Sequence, residues 1–137
     1  MKVSFDFDST LSRKDVQRFA KELVAEGHEV WIVTSRQSNE DAALADPWMK
    51  ARVIRSNKKL FRVADNVGIK REHIIFCNFA VKLASIIDQG FAFHLDDDPD
   101  ELVEILFSTD PCKAINVEHS EWEMDCKQIL KQKDKLL

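Results

Sequence analysis

Short apolar runs alternate along the chain with segments whose apolar residues recur at helical spacing. The apolar runs predict five β-strands, over 2–7, 29–34, 73–77, 91–95 and 114–117. The run at 29–34 is almost continuously apolar, which is typical of a strand covered on both faces of a parallel sheet. Strands that alternate with helices predict an α/β fold, a three-layer Rossmann-like domain with a parallel sheet of about five strands.

Helical periodicity and capping residues place the helices between these strands. Ser12 and Asp15 form a capping-box pattern ahead of an apolar helical repeat that Gly27 ends. Further helices are predicted over 58–67, with Gly68 as its stop, and over 79–88, 99–107 and 121–135, with Pro99 in the first turn of its helix. At 137 residues, with no linker pattern, the chain is predicted to form a single domain over 1–137.

The segment 37–56 has the least regular pattern. Asn39 is expected to cap a short helix, and Pro47 is expected to interrupt it. Trp48 and Met49 are expected to pack back onto the body of the domain. This segment is the one place where a minimal lid could form.

Two carboxylates stand close together at the end of the first predicted strand. Because side chains alternate across a strand, we expect Asp6 and Asp8 to project to one side, with Phe5 and Phe7 on the other. Two like charges at this spacing usually hold a cation between or beside them. The alternative is a polar strand end whose acids face water, because the pattern is short.

A second acidic group directly follows the fourth predicted strand. Five acids occur within six residues: Asp96, Asp97, Asp98, Asp100 and Glu101. The carboxyl ends of parallel strands meet at one edge of a sheet, where ligands bind, so four side chains are expected to converge: Asp6, Asp8, Asp96 and Asp97. Hard oxygen ligands favour Mg²⁺ over zinc, and Asp97, Asp98 and Asp100 compete for the supporting position.

The charge distribution indicates an anionic substrate. The net charge is only -4, but the stretch 50–71 carries eight basic residues against one acid, Asp65. A basic stretch beside an acidic metal site suits an anionic substrate, and one hypothesis is that it guides a nucleotide or a polyanion such as a nucleic-acid phosphate end. The alternative is a solvated helix face whose charges pair with their neighbours.

Composition adds few further constraints. The three cysteines have no CxxC spacing, and an odd count does not suit a disulfide framework, so we expect a reducing compartment, the cytoplasm. No signal-peptide run or membrane span is recognised, so no membrane partner is expected.

Two further segments carry groups that bind anions. Thr34, Ser35 and Arg36 end the second predicted strand, where a hydroxyl, a backbone amide and a guanidinium could contact a phosphoryl group. Lys82 lies fourteen positions before Asp96 and could reach over the same edge of the sheet. Each signal is weak by itself, because hydroxyls often end strands and most lysines face solvent.

Together these residues resemble the four motifs of the haloacid dehalogenase-like hydrolases, in the same order. The motifs are the segment 6–10, Thr34, Lys82 and the pair Asp96 and Asp97, and the resemblance spans about 2–101. It implies that Asp6 is a nucleophile forming an aspartyl-phosphate and that Asp8 is the general acid and base. It also implies that Thr34 and Lys82 bind the phosphoryl group. Magnesium would be held by Asp6, the main-chain carbonyl of Asp8, and Asp96, with Asp97 or Asp100 assisting.

The resemblance has departures that bear on substrate choice. Many relatives carry a long flap or cap after the first motif, whereas here a helix is expected almost at once, which leaves an open site. Relatives without caps act on large substrates such as phosphorylated macromolecules, or borrow a lid from another subunit. Two alternatives are a non-catalytic binding module with the same fold and a phosphorelay receiver domain, although a receiver carries its phosphorylated Asp on a middle strand.

Overall fold

A five-stranded parallel sheet forms the centre of the molecule. In the computed structural model, which describes residues 1–44 and 46–135, the strands are β1 (Lys2–Phe5), β2 (Glu29–Thr34), β3 (Ile74–Phe76), β4 (Phe91–Asp96) and β5 (Lys113–Asn116). Their spatial order is β3-β2-β1-β4-β5, and every neighbouring pair is parallel. The predicted α/β class and strand number are therefore confirmed.

Helices cover both faces of this sheet. They are α1 (Lys14–Ala25), α2 (Asn39–Ala42), α3 (Pro47–Val67), α4 (Leu83–Ile86), α5 (Pro99–Leu106) and α6 (Trp122–Lys135). Buried residues of α1, α3 and α6 form one apolar cluster with the sheet, and residues of α4 and α5 form a second. This three-layer packing explains the almost continuously apolar β2, whose two faces lie against different clusters.

The strand order fixes where a ligand would bind. The chain moves outward from β1 to β2 and β3, then crosses to the other side of β1 for β4 and β5. The carboxyl ends of β1 and β4 are neighbours, because Phe5 pairs with Leu95 and the Asp6 amide donates to the Leu95 carbonyl at 2.8 Å. Because the strand order reverses at β1, the connections after β1 and β4 lead in opposite directions and leave a crevice between the two strand ends.

The first strand is shorter than the pattern predicts. It ends at Phe5, and the wide turn Phe7–Leu11 follows, with the Leu11 amide donating to the Asp6 carbonyl at 3.0 Å. The predicted Ser12–Asp15 capping box is wrong: α1 begins at Lys14, and Ser12 instead accepts from the Ser9 amide. Asp15 forms an ion pair with Arg13.

A second difference concerns the segment 37–56. Pro47 begins α3 rather than interrupting a helix, because proline fits the first turn, where Asp46 accepts from the amides of Trp48 and Met49. Helix α3 therefore starts eleven residues before the predicted 58 and still ends at Gly68 as predicted. The short helix ahead of it is capped by Ser38 rather than Asn39.

Two more expectations about helices are wrong. Trp48 is 66% exposed, so it does not pack onto the body of the domain, whereas Met49 is 36% exposed. The helix predicted over 79–88 is reduced to α4, because Asn78 and Phe79 adopt positive φ values of 51° and 66°. Backbone in that region cannot continue a right-handed helix.

The end of α3 depends on a glycine for two reasons. Gly68 has a φ of +97°, and a Cβ there would lie 3.2 Å from Cγ1 of Val24 on α1. Gly27 has a similar φ of +90° with nothing within 4 Å of its Cβ position. Conformational strain at positive φ costs about 1–2 kcal/mol for a residue other than glycine.

We therefore expect Gly68→Ala to lower the free energy of unfolding by about 1–2 kcal/mol from strain, plus a further loss from contact with Val24. Gly27→Ala is the matched control, because it carries the strain without the contact. Chemical denaturation of the three proteins measures both differences. A loss at position 68 no larger than the loss at position 27 would contradict this account of the helix end.

Candidate active site

A lysine and two aspartates are buried together at the carboxyl edge of β1 and β4. The Lys82 ammonium donates to Oδ1 of Asp6 at 2.8 Å and to Oδ2 of Asp96 at 2.7 Å. Their side chains are 3% exposed for Lys82, 6% for Asp6 and 0% for Asp96. Lys82 reaches this position from the residue just before α4. Two residues from strand ends and one from a loop thus meet as predicted from their order in the chain.

Asp96 is held by four donors. Its Oδ2 accepts from Lys82 and contacts Nε2 of His94 at 2.8 Å. Its Oδ1 accepts from the amides of Asp97 at 2.8 Å and Asp98 at 3.1 Å. A carboxylate offers about four lone-pair positions, so these four contacts occupy those of Asp96, and a cation bound there would replace one of them. This side chain is fixed in orientation.

His94 and Ser4 extend this network into the sheet. His94 Nδ1 lies 2.8 Å from the Ser4 hydroxyl, and both residues are fully buried. An ionised Asp96 requires Nε2 of His94 to donate, so in the neutral ring Nδ1 accepts from Ser4. Sequence reasoning missed both residues. The available signal was a histidine two positions before Asp96, which puts both on one face of β4.

The three charged groups of the cluster shift one another's protonation. Burial, together with the charge of Asp96, raises the pKa of Asp6 to about 8. Burial opposes ionisation of Asp96 too, but His94 and Lys82 hold its pKa well below the usual range. Burial would lower the pKa of Lys82, yet the two carboxylates outweigh it and raise that pKa. One ammonium balances one carboxylate, so the second carboxyl group, Asp6, retains its proton more readily.

Three of the acids lie close enough to hold a cation. Asp6, Asp96 and Asp97 each offer an oxygen, and these oxygens lie within 4.8 Å of one another. The Thr10 hydroxyl lies near both Asp6, at 3.4 Å, and Asp97, at 3.5 Å, distances too long for strong hydrogen bonds. Asp6 and Asp97 therefore keep free lone pairs. An all-oxygen donor set of this kind fits a hard divalent cation such as Mg²⁺.

The other acids of the 96–101 run have different partners. Asp98 caps α5 by accepting from the Asp100 amide, and Asp100 is exposed. Glu101 accepts from the Lys82 amide at 3.0 Å and so helps to place that residue. Of the three acids that the sequence left in competition, Asp97 is the one that lies beside Asp6. The contact made by Glu101 was not expected.

Asp8 does not join the buried group through its side chain. It forms a two-point ion pair with Arg36, with Nε to Oδ2 at 2.8 Å and Nη2 to Oδ1 at 2.7 Å. The expectation that Asp6 and Asp8 project together is wrong, because β1 ends at Phe5 and strand alternation does not reach Asp8. Phe5 and Phe7 are both buried. The role of the Asp8 main-chain carbonyl as a magnesium ligand stays a prediction.

Residues at the end of β2 and just after it lie next to this ion pair. Thr34 is fully buried, and its hydroxyl accepts from the Arg36 amide at 3.2 Å. Ser35 is exposed. Arg36 also donates through Nη1 to the Ser56 carbonyl at 2.9 Å, which ties the end of β2 to α3. The segment 34–36 thus presents a guanidinium and a hydroxyl beside Asp8.

No family model matches the chain, and no curated protein or solved structure gives a significant match. Among the helices of the described residues, none has the length and apolar character needed to cross a membrane. What the site can do chemically therefore follows from its own geometry: a buried carboxylate beside an ammonium, three acid oxygens close enough to hold a cation, and an exposed acid paired with an arginine.

The raised pKa of Asp6 gives a pH dependence with a definite sign. Between 3.8, the ordinary aspartate pKa, and about 8, the folded state binds more protons at Asp6 than the unfolded state does. The contribution of Asp6 to stability therefore falls as pH rises across this interval, by up to about 1.4 kcal/mol per pH unit. In Asp6→Asn this contribution is absent.

We expect the unfolding free energy of Asp6→Asn, relative to the unsubstituted protein, to rise between pH 5 and pH 8 in the presence of a chelator. Titrating groups outside the cluster occur in both proteins, so the difference reports Asp6 together with its effect on Lys82 and Asp96. Urea denaturation at several pH values measures it. A difference that does not change with pH would show that Asp6 titrates normally.

Proposed function

We propose that this protein is a magnesium-dependent phosphomonoesterase that acts through an aspartyl-phosphate on Asp6. The observation that carries the proposal is the Lys82 ammonium held at 2.8 Å from Asp6 in a buried site. A carboxylate that attacks a phosphate must overcome like-charge repulsion, and a fixed cation at the reacting carboxylate reduces it. The resemblance to the haloacid dehalogenase-like hydrolases supports the same assignment.

Attack would come from the oxygen of Asp6 that Lys82 does not contact. The one donor near Oδ2 among the described residues is the Thr10 hydroxyl, at the long distance of 3.4 Å, so lone pairs of Oδ2 are available. An O–P bond forms from Asp6 as the bond between phosphorus and the leaving oxygen breaks, and Asp8 gives that oxygen a proton. In the second step Asp8 takes a proton from water, the water oxygen bonds to phosphorus, and the Asp6 carboxylate is released.

The remaining residues would bind and orient the phosphoryl group. Thr34, Ser35 and Arg36 supply hydroxyl, amide and guanidinium contacts at the end of β2. Asp6, Asp96 and Asp97 would hold Mg²⁺, which when bound favours ionised Asp6 and neutralises charge on the phosphate. The segment 37–56, which contains α2 and the start of α3, stays a predicted small lid.

A binding module without turnover is the second candidate. The ion pair between Asp8 and Arg36 favours it, because the proposed proton carrier is engaged with an arginine rather than facing Asp6. The two proposals differ in a measurable way. A binding module takes up Mg²⁺ and phosphate but releases no product.

The first expected result concerns Asp6. Asp6→Asn should abolish phosphate release from an aryl phosphate in Mg²⁺, because an amide is not a nucleophile for phosphorus. Asp100→Asn is the matched control, since Asp100 lies in the same acidic run but outside the oxygen cluster, and its activity should stay within about twofold.

A continuous phosphate-release assay, run with Mg²⁺ and with a chelator, measures both variants. Activity that persists in Asp6→Asn, or that is equal with and without Mg²⁺, contradicts the proposal. An inactive unsubstituted protein that still binds Mg²⁺ by calorimetry would support the binding module instead.

The second expected result concerns Asp8. A general acid matters most when the leaving group is poor, and it typically contributes about 10²–10⁴-fold. Under single-turnover conditions, Asp8→Asn should therefore slow release of the alcohol from an alkyl phosphate far more than release of nitrophenol from nitrophenyl phosphate. Equal losses on the two substrates would show that Asp8 acts in binding rather than in proton transfer.

A further inference from the structure

We propose that a groove beside Asp8 binds the aromatic base of a nucleoside monophosphate unit, either free or at the end of a single strand. This inference rests on the proposed function, because the phosphate of that unit would lie at Asp6. The groove lies between α3 and the loop that follows β3. Its cavity volume is about 220 Å³, and its wall includes Arg36, Met49, Arg52, Val53, Ser56 and Phe79.

The α3 wall of the groove is one face of the helix. Met49, Arg52, Val53 and Ser56 are spaced three, one and three residues apart, so they form a single stripe. The stripe combines apolar surface with a guanidinium. At about 220 Å³ the groove is smaller than the roughly 300–1,000 Å³ of pockets that enclose a whole drug-sized ligand. It suits one flat ring system whose attached groups extend outside.

Phe79 forms the opposite wall and is held in an unusual conformation. Its side chain is 74% exposed, and its φ is 66°. The backbone is fixed by hydrogen bonds from the Phe79 amide to the Ser35 carbonyl, at 2.7 Å, and from the Asn78 amide to the Arg36 carbonyl, at 3.2 Å. An exposed aromatic residue at positive φ gains little from packing and carries backbone strain. A stacking partner would account for this arrangement.

Arg36 connects the groove to the site of reaction. The same guanidinium that lines the groove binds Asp8 at 2.7 Å and the Ser56 carbonyl at 2.9 Å. It also lies over the ring of Phe7, with 4.9 Å between Arg36 Cζ and the ring centroid. A phosphate near Arg36 would therefore place the rest of its molecule towards the groove.

The outer surface of α3 carries charge complementary to a nucleic-acid strand. Of the salt bridges within 1–44 and 46–135, none involves its cations Lys50, Arg52, Arg55, Lys58, Lys59 and Arg62. Arg52 instead lies over the exposed ring of Trp48, 5.4 Å from its centroid. Aromatic rings with arginines beside them are what sequence-independent binding of bases uses.

The test compares substrates that share a phosphate and differ in the base. Phe79→Ala should lower kcat/KM on adenosine and thymidine monophosphates by about 5- to 150-fold, the range given by stacking of one base. It should leave glycerol phosphate and ribose 5-phosphate within about twofold. Phe107→Ala is the matched control, because Phe107 is also exposed, at 82%, but follows α5. Equal losses on all four substrates, or no loss on the nucleotides, would overturn the proposal.

Binding separates failure of this proposal from failure of the proposed function. Calorimetry with Asp6→Asn should show tighter binding of the nucleoside monophosphates than of ribose 5-phosphate, and Phe79→Ala should remove the difference. If no substrate is turned over but this binding difference holds, the groove assignment stands and the hydrolase does not. If turnover occurs and base identity has no effect on binding, the hydrolase stands and the groove assignment fails.

A last comparison distinguishes the two sources of the nucleotide. If the substrate is a strand end, Arg55→Gln combined with Lys59→Gln should weaken the binding of a 5′-phosphorylated trinucleotide and reduce the salt dependence of that binding. The affinity for a mononucleotide should not change. An equal, small effect on both would assign the groove to free nucleotides. If the double variant binds both ligands as tightly as the unsubstituted protein does, and Phe79→Ala also leaves both affinities unchanged, the assignment is overturned for both sources.

Discussion

The ammonium of Lys82 between Asp6 and Asp96 is the interaction on which the candidate site depends. Backbone pairing of β1 with β4 brings the two acids together, since the Asp6 amide donates to the Leu95 carbonyl. Two buried carboxylates this close repel strongly unless a cation lies between them. Burying such charges usually contributes little to stability, and apolar replacements are often neutral or better. This cost of burial is consistent with the proposed role of Asp6 in catalysis.

The polar chain behind Asp96 makes this arrangement rigid. Ser4 and His94 lie on neighbouring strands at paired positions, so the sheet itself sets the distance between them. His94 then fixes one oxygen of Asp96, and two backbone amides fix the other. Buried polar groups that are fully satisfied hold one geometry, whereas partly satisfied groups do not. Asp6 can consequently face a substrate while its neighbours stay in place.

The sequence predicts the strands and the main helices of this protein better than its local turns. The apolar runs locate all five strands, and Pro99 and Gly68 locate helix ends, because each signal acts within a few residues. The register between Ser4 and His94 depends on pairing of segments ninety residues apart, which no local pattern reports. Pro47 was ambiguous for a different reason: proline both ends one helix and begins another, and the cap made by Asp46 decides between them. The turn after Phe5 redirected Asp8 in a way that strand alternation could not anticipate.

The two halves of the site differ in how easily they exchange partners. Lys82, Asp6 and Asp96 are almost fully buried, so separating them would leave charges without partners in a medium of low dielectric constant. The Asp8 side chain, by contrast, is 56% exposed in its pair with Arg36. Arg36 is only 19% exposed and holds Asp8 at two points, but the Asp8 carboxylate is open to solvent, so a phosphate oxygen can compete with Asp8 for Arg36. That exchange would free Asp8 for proton transfer only when an anion is present, which would couple substrate binding to the proposed acid.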